Sequence, residues 1–336
     1  MSENKILLDH GSGGLLTGKL IAEKFMPHFD NPLLSQMEDS TAFDINGNKL
    51  CFTTDSYVIN PIFFPGGNIG SLSVHGTVND ISMRGGKPLY LSAGFIIQEG
   101  FDIAELEEII ASMAQAAKNT GVQIITGDTK VVDKNSADKI FINTSAIGII
   151  EYERNLSAME IRPGDAVIIN GTIGDHATAI LNKRKDLNLS SDIISDSAPL
   201  NKLVEQILDS CPEVHCMRDA TRGGLGGILT EIASQSGHTI NMDEAKIPID
   251  EKVRGACEIL GLDPLFFANE GKMVLFCPSD HAETVVNIMK NNPYGKNAAI
   301  IGEVTDEKKG RLILNTVIGG KRQIDLPAGE LLPRIC

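Results

Sequence analysis

The sequence predicts two domains of mixed strands and helices, α/β or α+β, followed by a short tail. Three observations carry this. At 336 residues the chain exceeds one ordinary domain of about 150 residues. Strand-period and helix-period patterns alternate in both halves. The pattern lapses at residues 151–164, where Arg162-Pro163-Gly164-Asp165 reads as the turn opening a second unit. The expected limits are 1–155, 156–328 and a flexible tail, 329–336, that holds Cys336.

In the first unit, AFDINGNKLCFTTDSYVI (42–59) is two strands around Asn46-Gly47, a dipeptide suited to a tight hairpin because both residues tolerate positive φ. Residues 70–84 follow the helical period, with Leu72, Val78 and Ile81 inward, and Gly85-Gly86 breaks it before the strand LYLSAGFII. A second helix, 102–120, starts at Asp102 with Glu105 three residues on, turns Ile103, Leu106, Ile110, Met113 and Ala117 to one face, and stops at Gly121. Strands VQIITG (122–127) and KIFINTSAIGII (139–150) complete the unit. The second unit opens on the strand AVIING, a Gly-rich turn and a helix over 174–185. Helices near 199–209, 224–236 and 280–291 follow, with strands near 272–277, 298–304, 311–317 and 321–326.

Lys and Arg number 30 against 44 Asp and Glu, a net charge of −14 with no basic block, which argues against nucleic acid as a partner. No apolar run reaches the roughly 18 residues of a membrane span, and the start, MSENKILLDHGSGG, lacks the basic and apolar blocks of an export signal. A cytoplasmic protein without membrane contact is expected. The six cysteines form no Cys-x-x-Cys pair. Cys51, Cys211, Cys216, Cys257 and Cys277 lie in or beside apolar segments, as buried thiols of a reducing compartment do, while Cys336 has no core sequence around it.

Four acids of the first unit, Asp39, Asp55, Asp80 and Asp128, stand at strand ends and turns. Any one of them serves equally well as a turn or capping group. Four at the ends of packed elements suit Mg²⁺, which takes hard oxygen ligands and bridges carboxylates to nucleotide phosphates. Lys130 is then either a point charge for a phosphate or a solvated surface lysine. HGSGG (10–14) and RDATRGGLGG (218–227) place glycines before helical sequence, where N–H groups face an anion, although tight turns account for either run. Neither fits the Walker or dinucleotide pattern. Glu270, just before an apolar strand, is a general base tuned by partial burial or the polar end of that strand.

Taken in order over the whole length, HGSGG, TTDSYVI with FFPGGNIG, GTVNDISM, TGDTKVV, DATRGG, ANEGK and the final PRIC resemble the carbamoyl dehydratases of NiFe-hydrogenase maturation, in the superfamily of aminoimidazole ribonucleotide synthetase. The resemblance implies a two-domain, PurM-like α+β fold whose N-terminal domains pair in a homodimer around an Asp-rich ATP site. It implies an activity, the ATP-dependent dehydration of a carbamoyl group on the Cys336 thiol from S-carboxamide to thiocyanate, supplying cyanide to the hydrogenase iron. It also implies partners: the carbamoyltransferase HypF and the iron-carrying HypC–HypD complex.

Carried residue by residue, Asp39, Asp55, Asp80 and Asp128 match metal and nucleotide acids, with Asn79 and Thr129 beside them. Gly13 and Gly14 match a loop over the phosphates. Lys130 and Glu270 match groups near the modified cysteine, Glu270 as proton acceptor and Lys130 as oxygen-polarising cation, and His10 is a further catalytic candidate. Pro333 would stiffen the tail, and Arg334 would offset the adjacent carboxylate. Met83-Arg84-Gly85-Gly86 is more glycine-rich than the family's sequence there, implying a looser turn. A purine-pathway synthetase would not need Cys336; a selenophosphate synthetase would carry a reactive Cys near its start, and residues 1–20 contain none.

Overall fold

A computed structural model describes residues 5–11, 14–29, 31–185, 192–211, 213–327, 329, 332 and 334–336. The chain begins with two short helices, α1 (Leu15–Leu20) and α2 (Met26–Phe29), joined by a π-helical turn at Ile21–Phe25; none of the three buries a side chain. Next comes the hairpin of β1 (Thr41–Ile45) and β2 (Asn48–Tyr57), in which Ile45 pairs with Asn48. Asn46 and Gly47, at φ 54° and 84°, make the expected turn. A two-residue ribbon, β3 (Phe63–Phe64) and β4 (Gly67–Asn68), leads into α3 (Ile69–Met83). Then follow β5 (Gly86–Gln98), α4 (Ile103–Thr120), β6 (Gln123–Val132) and β7 (Ile140–Ile150).

The first sheet has the order β1-β2-β7-β5-β6, antiparallel except for the β5–β6 pair. One face packs on α3 and α4; the other is open, with Phe52 and Ile96 nearly half exposed. The strand expected over 122–127 continues through Asp128 to Val132 and lies along the sheet edge.

Asp102 caps α4 as expected, accepting from the N–H groups of Ala104 and Glu105, and Gly121 ends it at φ 82°. The buried stripe is nevertheless rotated. Ile109, Met113, Ala116 and Ala117 face the core, whereas Ile103 and Ile110 face solvent. The Gly85-Gly86 turn is tight rather than loose: Gly85 has φ 73°, and a side chain on Gly86 would run into the Cys51 sulfur.

The second sheet comprises β8 (Asp165–Ile169), β9 (Cys216–Asp219), β10 (Ile240–Asp243), β11 (Met273–Pro278), β12 (Ala299–Val304), β13 (Leu312–Asn315) and β14 (Lys321–Ile324), in the order β14-β13-β10-β12-β8-β11-β9. Its helices are α5 (Asp175–Lys185), α6 (Asn201–Ser210), α7 (Gly224–Ser236), α8 (Glu251–Leu260) and α9 (Ser279–Lys290). The near-continuous apolar runs of β8 and β11 follow from burial on both faces. Val167, Ile169, Val274 and Phe276 join one core, with α7; Ala166, Ile168, Leu275 and Cys277 join another, with α6 and α9. Strands β9 and β10 and helix α8 escape the sequence reading because their apolar runs are short.

Helix α3 sits at the junction of the two domains. Beyond Leu72, Val78 and Ile81 it also buries Val74, Asn79 and Met83, because the first sheet covers one flank and the second domain the other. The described tail residues are docked. Ile335 is 1% exposed in the first core, and Cys336 packs against that core half-buried. Arg334, expected to offset the carboxylate beside it, pairs through Nη1 with Asp138 at 2.6 Å. Pro333 lies outside the described residues. The other five cysteines are buried free thiols.

Candidate active site

Strand alternation aims β2 at α3. Thr53 and Tyr57 face that helix, the Thr53 hydroxyl donating to Asp80 Oδ2 at 2.8 Å and the Tyr57 hydroxyl lying 3.2 Å from Thr77 Oγ1. Asp55, between them on the same face, therefore points toward Asp80 on α3. Asp219 ends β9 opposite Met273, three residues beyond Glu270. Asp39 precedes β1 and is held by Arg218 Nε, which also lies within 4 Å of Glu38 and Glu231 through its other nitrogens. Asp39, Asp55, Asp80, Asp219 and Glu270 thus meet where the two domains join, with Arg218 and Arg222 as counter-charges.

This cluster carries more negative charge than it neutralises. Burial, followed by the charges of Asp219, Asp55 and Asp39, pushes Asp80 well above the ordinary carboxyl range. Burial also raises Asp219 strongly, reinforced by Asp39 and opposed by Arg218. Asp39 and Asp55 rise for the same reason, against Arg218 and Arg222 respectively. Glu270 is driven up by burial and then by Asp196, Asp219 and Asp55. Buried oxygens Asp39 Oδ2 and Glu270 Oε1 have no hydrogen-bond partner. Hard, under-neutralised oxygens suit a divalent cation. Among the described residues no three acids, histidines or cysteines converge on one metal position, so phosphate oxygens would have to complete any coordination.

The docked tail meets the chain just beyond β2. The Val58 N–H donates to the Cys336 main-chain oxygen at 3.1 Å, three residues along from Asp55, a rise of about 10 Å. Cys336 packs on a core that includes Ala268, two residues before Glu270.

Other candidates lie elsewhere. Asp128 pairs with Gly94, Gly94 with Asn143, and Asn143 with Ser56, one row across the sheet. Asn143 bonds Ser56 Oγ and Thr54 Oγ1 on the open face, whereas Thr144 bonds Thr77 of α3. Asp128 and Lys130 therefore face away from Asp55 and Asp80. They pair with each other at 2.6 Å, and Asp128 also accepts the Thr129 N–H. Asn79 is spent on the backbone: its Nδ2 donates to the Ala198 carbonyl at 3.1 Å, and its Oδ1 accepts the Leu200 N–H at 2.8 Å. His10 Nδ1 accepts the Leu7 N–H of its own turn. Gly14 precedes the six-residue α1, and Gly13 lies outside the described residues.

Sequence reasoning missed Asp219, Arg218, Arg222 and Asp196. The first three stand in RDATR, just before the glycines of RDATRGGLGG, and its strand-end Asp is a usable signal. Asp196 binds the Glu270 N–H at 3.0 Å and Lys272 at 2.8 Å, contacts visible only in the fold.

Family models match both halves: the N-terminal domain of AIR synthase related proteins over residues 37–150, and the C-terminal domain over 162–315. The fold and its interdomain acid cluster thus define an AIR synthase related protein. A carbamoyl dehydratase HypE of Azotobacter vinelandii is 48% identical over 327 residues, 97% of this chain and 96% of its own. A solved hydrogenase maturation protein HypE in complex with ATP is 46% identical, with a TM-score of 0.84 over 99% of this chain and 100% of that one. HypE in a HypE–HypF complex is 49% identical, with a TM-score of 0.87 over 92% and 99%. The chain belongs to the HypE family. No helix among the described residues is long and apolar enough to cross a membrane.

Proposed function

We propose that this chain is an ATP-dependent carbamoyl dehydratase of hydrogenase maturation that acts on a carbamoyl group carried by its own Cys336. The observation that supports this most directly is the docking of Cys336 on Val58, three residues from Asp55 in the chain, against a core that Ala268, two residues before Glu270, also joins. The relatives' shared name and the ATP-bound relative agree with it.

In this reading ATP phosphorylates the carboxamide oxygen as the amide nitrogen gives up one proton. Loss of the second N–H proton and of phosphate then leaves S–C≡N, with ADP as the other product. Phosphate leaves where hydroxide would not. Glu270, raised above the ordinary carboxyl range by burial, is a stronger base than a free carboxylate once ionised, and in that form takes a proton. Asp39, Asp55, Asp80 and Asp219 would hold Mg²⁺, which would neutralise the phosphates.

Asp128 and Lys130, on the open face, would reach such a site only on a second copy. The reading therefore includes a homodimer through the first domain, residues 1–155, with Lys130 acting in trans. HypF, which a relative binds in a solved complex, would load the carbamoyl group, and HypC–HypD would receive the cyanide. The second domain, 156–328, contributes Asp219 and Glu270.

Incubation with HypF, carbamoyl phosphate and ATP, read by peptide mass spectrometry, is expected to show a carbamoyl adduct on Cys336 that loses one water only when ATP is present. An adduct that never dehydrates, or that forms on another residue, contradicts the reading.

A further inference from the structure

Residues 334–336 lie in a seat built by parts of both domains. After β2, the Val58 N–H donates to the Cys336 main-chain oxygen and the Asn60 N–H to the Arg334 carbonyl at 3.3 Å, an antiparallel pairing. At the outer end, Arg334 Nη1 donates to Asp138 Oδ2 and its Nε to the Val58 carbonyl at 3.0 Å. Arg184 of α5 donates to the carbonyls of both Asn60 and Arg334. At the inner end stands His176 of α5, fully buried. Its Nε2 is 2.7 Å from the Ile335 carbonyl and its Nδ1 2.7 Å from Ser195 Oγ.

The chemistry of these partners fixes the imidazole. A carbonyl only accepts, so Nε2 carries the hydrogen, and burial lowers the His176 pKa, keeping the ring neutral. Nδ1 therefore accepts from the Ser195 hydroxyl, whose oxygen accepts the Ser197 N–H at 3.0 Å. Phe64 holds the ring edge-on at 5.5 Å. With the tail removed, this buried N–H would lose its acceptor, at a cost that marks the seat as made for the tail. The outer fastening differs in kind: Arg334 and Asp138 are 31% and 45% exposed, and such a pair is weak enough to open.

We infer that His176 is a positioning residue which, through the Ile335 carbonyl, holds Cys336 at the end of β2, the strand that carries Asp55, and that the Arg334–Asp138 pair is the fastening that releases it. The inference rests on Cys336 as the carrier. It accounts for how one thiol is both held for reaction and surrendered to a second protein.

The test follows alkylation of Cys336 by N-ethylmaleimide, peptide by peptide, in the full chain. In parallel it follows dehydration of Cys336 carbamoylated beforehand, at saturating ATP. His176→Ala is expected to speed alkylation about fivefold, the effect of one lost hydrogen bond, and to slow dehydration by a similar factor with ATP affinity unchanged. His176→Gln retains a donor for the Ile335 carbonyl and is expected to restore both. Asp138→Asn, at an exposed position, is expected to speed alkylation about twofold or more, and it tests the seat even if His176→Ala fails to fold. Alkylation at the parent rate in Asp138→Asn and His176→Gln no better than alanine would overturn the inference. So would parent-rate dehydration in a folded His176→Ala. If the parent itself never dehydrates while the variants still alkylate faster, the carrier reading and the positioning role fall, and the seat alone stands.

Discussion

Lys272 and Asp196 form a buried ion pair, 2.8 Å apart, with side chains 10% and 4% exposed. Asp196 uses its other oxygen to accept the Glu270 N–H, so one carboxylate both neutralises the lysine and fixes the backbone at Glu270. Asp196→Ala leaves an uncompensated buried charge and is expected to lower unfolding free energy by about 3–5 kcal/mol, measured by urea denaturation. Asp196→Ala with Lys272→Met should recover most of that loss. Equal instability in the double variant would show that the cost lies in packing rather than in the unpaired charge.

Asp80 lies among three other acids, and its folded pKa stands above its unfolded one. Its ionisation therefore destabilises the ligand-free chain at neutral pH, and the penalty is relieved as pH falls toward the ordinary carboxyl value of 3.8. Asp80→Asn keeps an acceptor for the Thr53 hydroxyl and should stabilise the ligand-free protein while weakening Mg-ATP binding. Thermal melts with and without nucleotide read both effects. A variant less stable than its parent when empty would refute the repulsion argument.

Glu270→Gln should slow dehydration by about 10²–10⁴-fold with ATP still bound. Because Lys130 faces away from Glu270 within one chain, Lys130→Ala should also be inactive, yet mixing the two variants should restore activity that neither has alone. A mixed dimer pairs both lesions in one site and leaves the other intact. Absence of recovery after verified subunit exchange would place Lys130 outside the partner's site.

His75 is half-buried, its Nδ1 3.0 Å from Ser197 Oγ, and desolvation lowers its pKa from 6.5 to about 4. The neutral ring favours folding above the unfolded value, and this contribution is lost as pH falls from 6.5 through 4. Over that window it amounts to about 3 kcal/mol. The stability difference between parent and His75→Gln, followed by denaturation from pH 7 to 4, should shrink by that order. A pH-independent difference would mean that His75 titrates normally.

The parts legible in the sequence are those set by neighbours in the chain. Asn46-Gly47, the Asp102 cap and the Gly121 stop each impose a backbone conformation locally, and the fold keeps all three. The acids were legible as a set but not by face. Counting carboxylates at strand ends joins Asp128 to Asp55, whereas strand parity, fixed only once Gly94 and Asn143 are paired, separates them. Ile109 replaces Ile110 on the buried stripe because the sheet, not the helix, decides which flank of an apolar turn is covered. The seat of Cys336 had no local signature at all: Val58, Asp138 and His176 meet only when both domains are in place.

Helix α3 is walled in by both halves of the molecule, with Leu72 and Val78 in one core and Met83 in the other. Neither half, produced alone, would have a surface to cover both flanks of this helix. The chain should consequently come apart in one calorimetric transition rather than two. Ligand arriving at Asp80, which rides on that helix, would raise the melting of the entire molecule and not of one lobe.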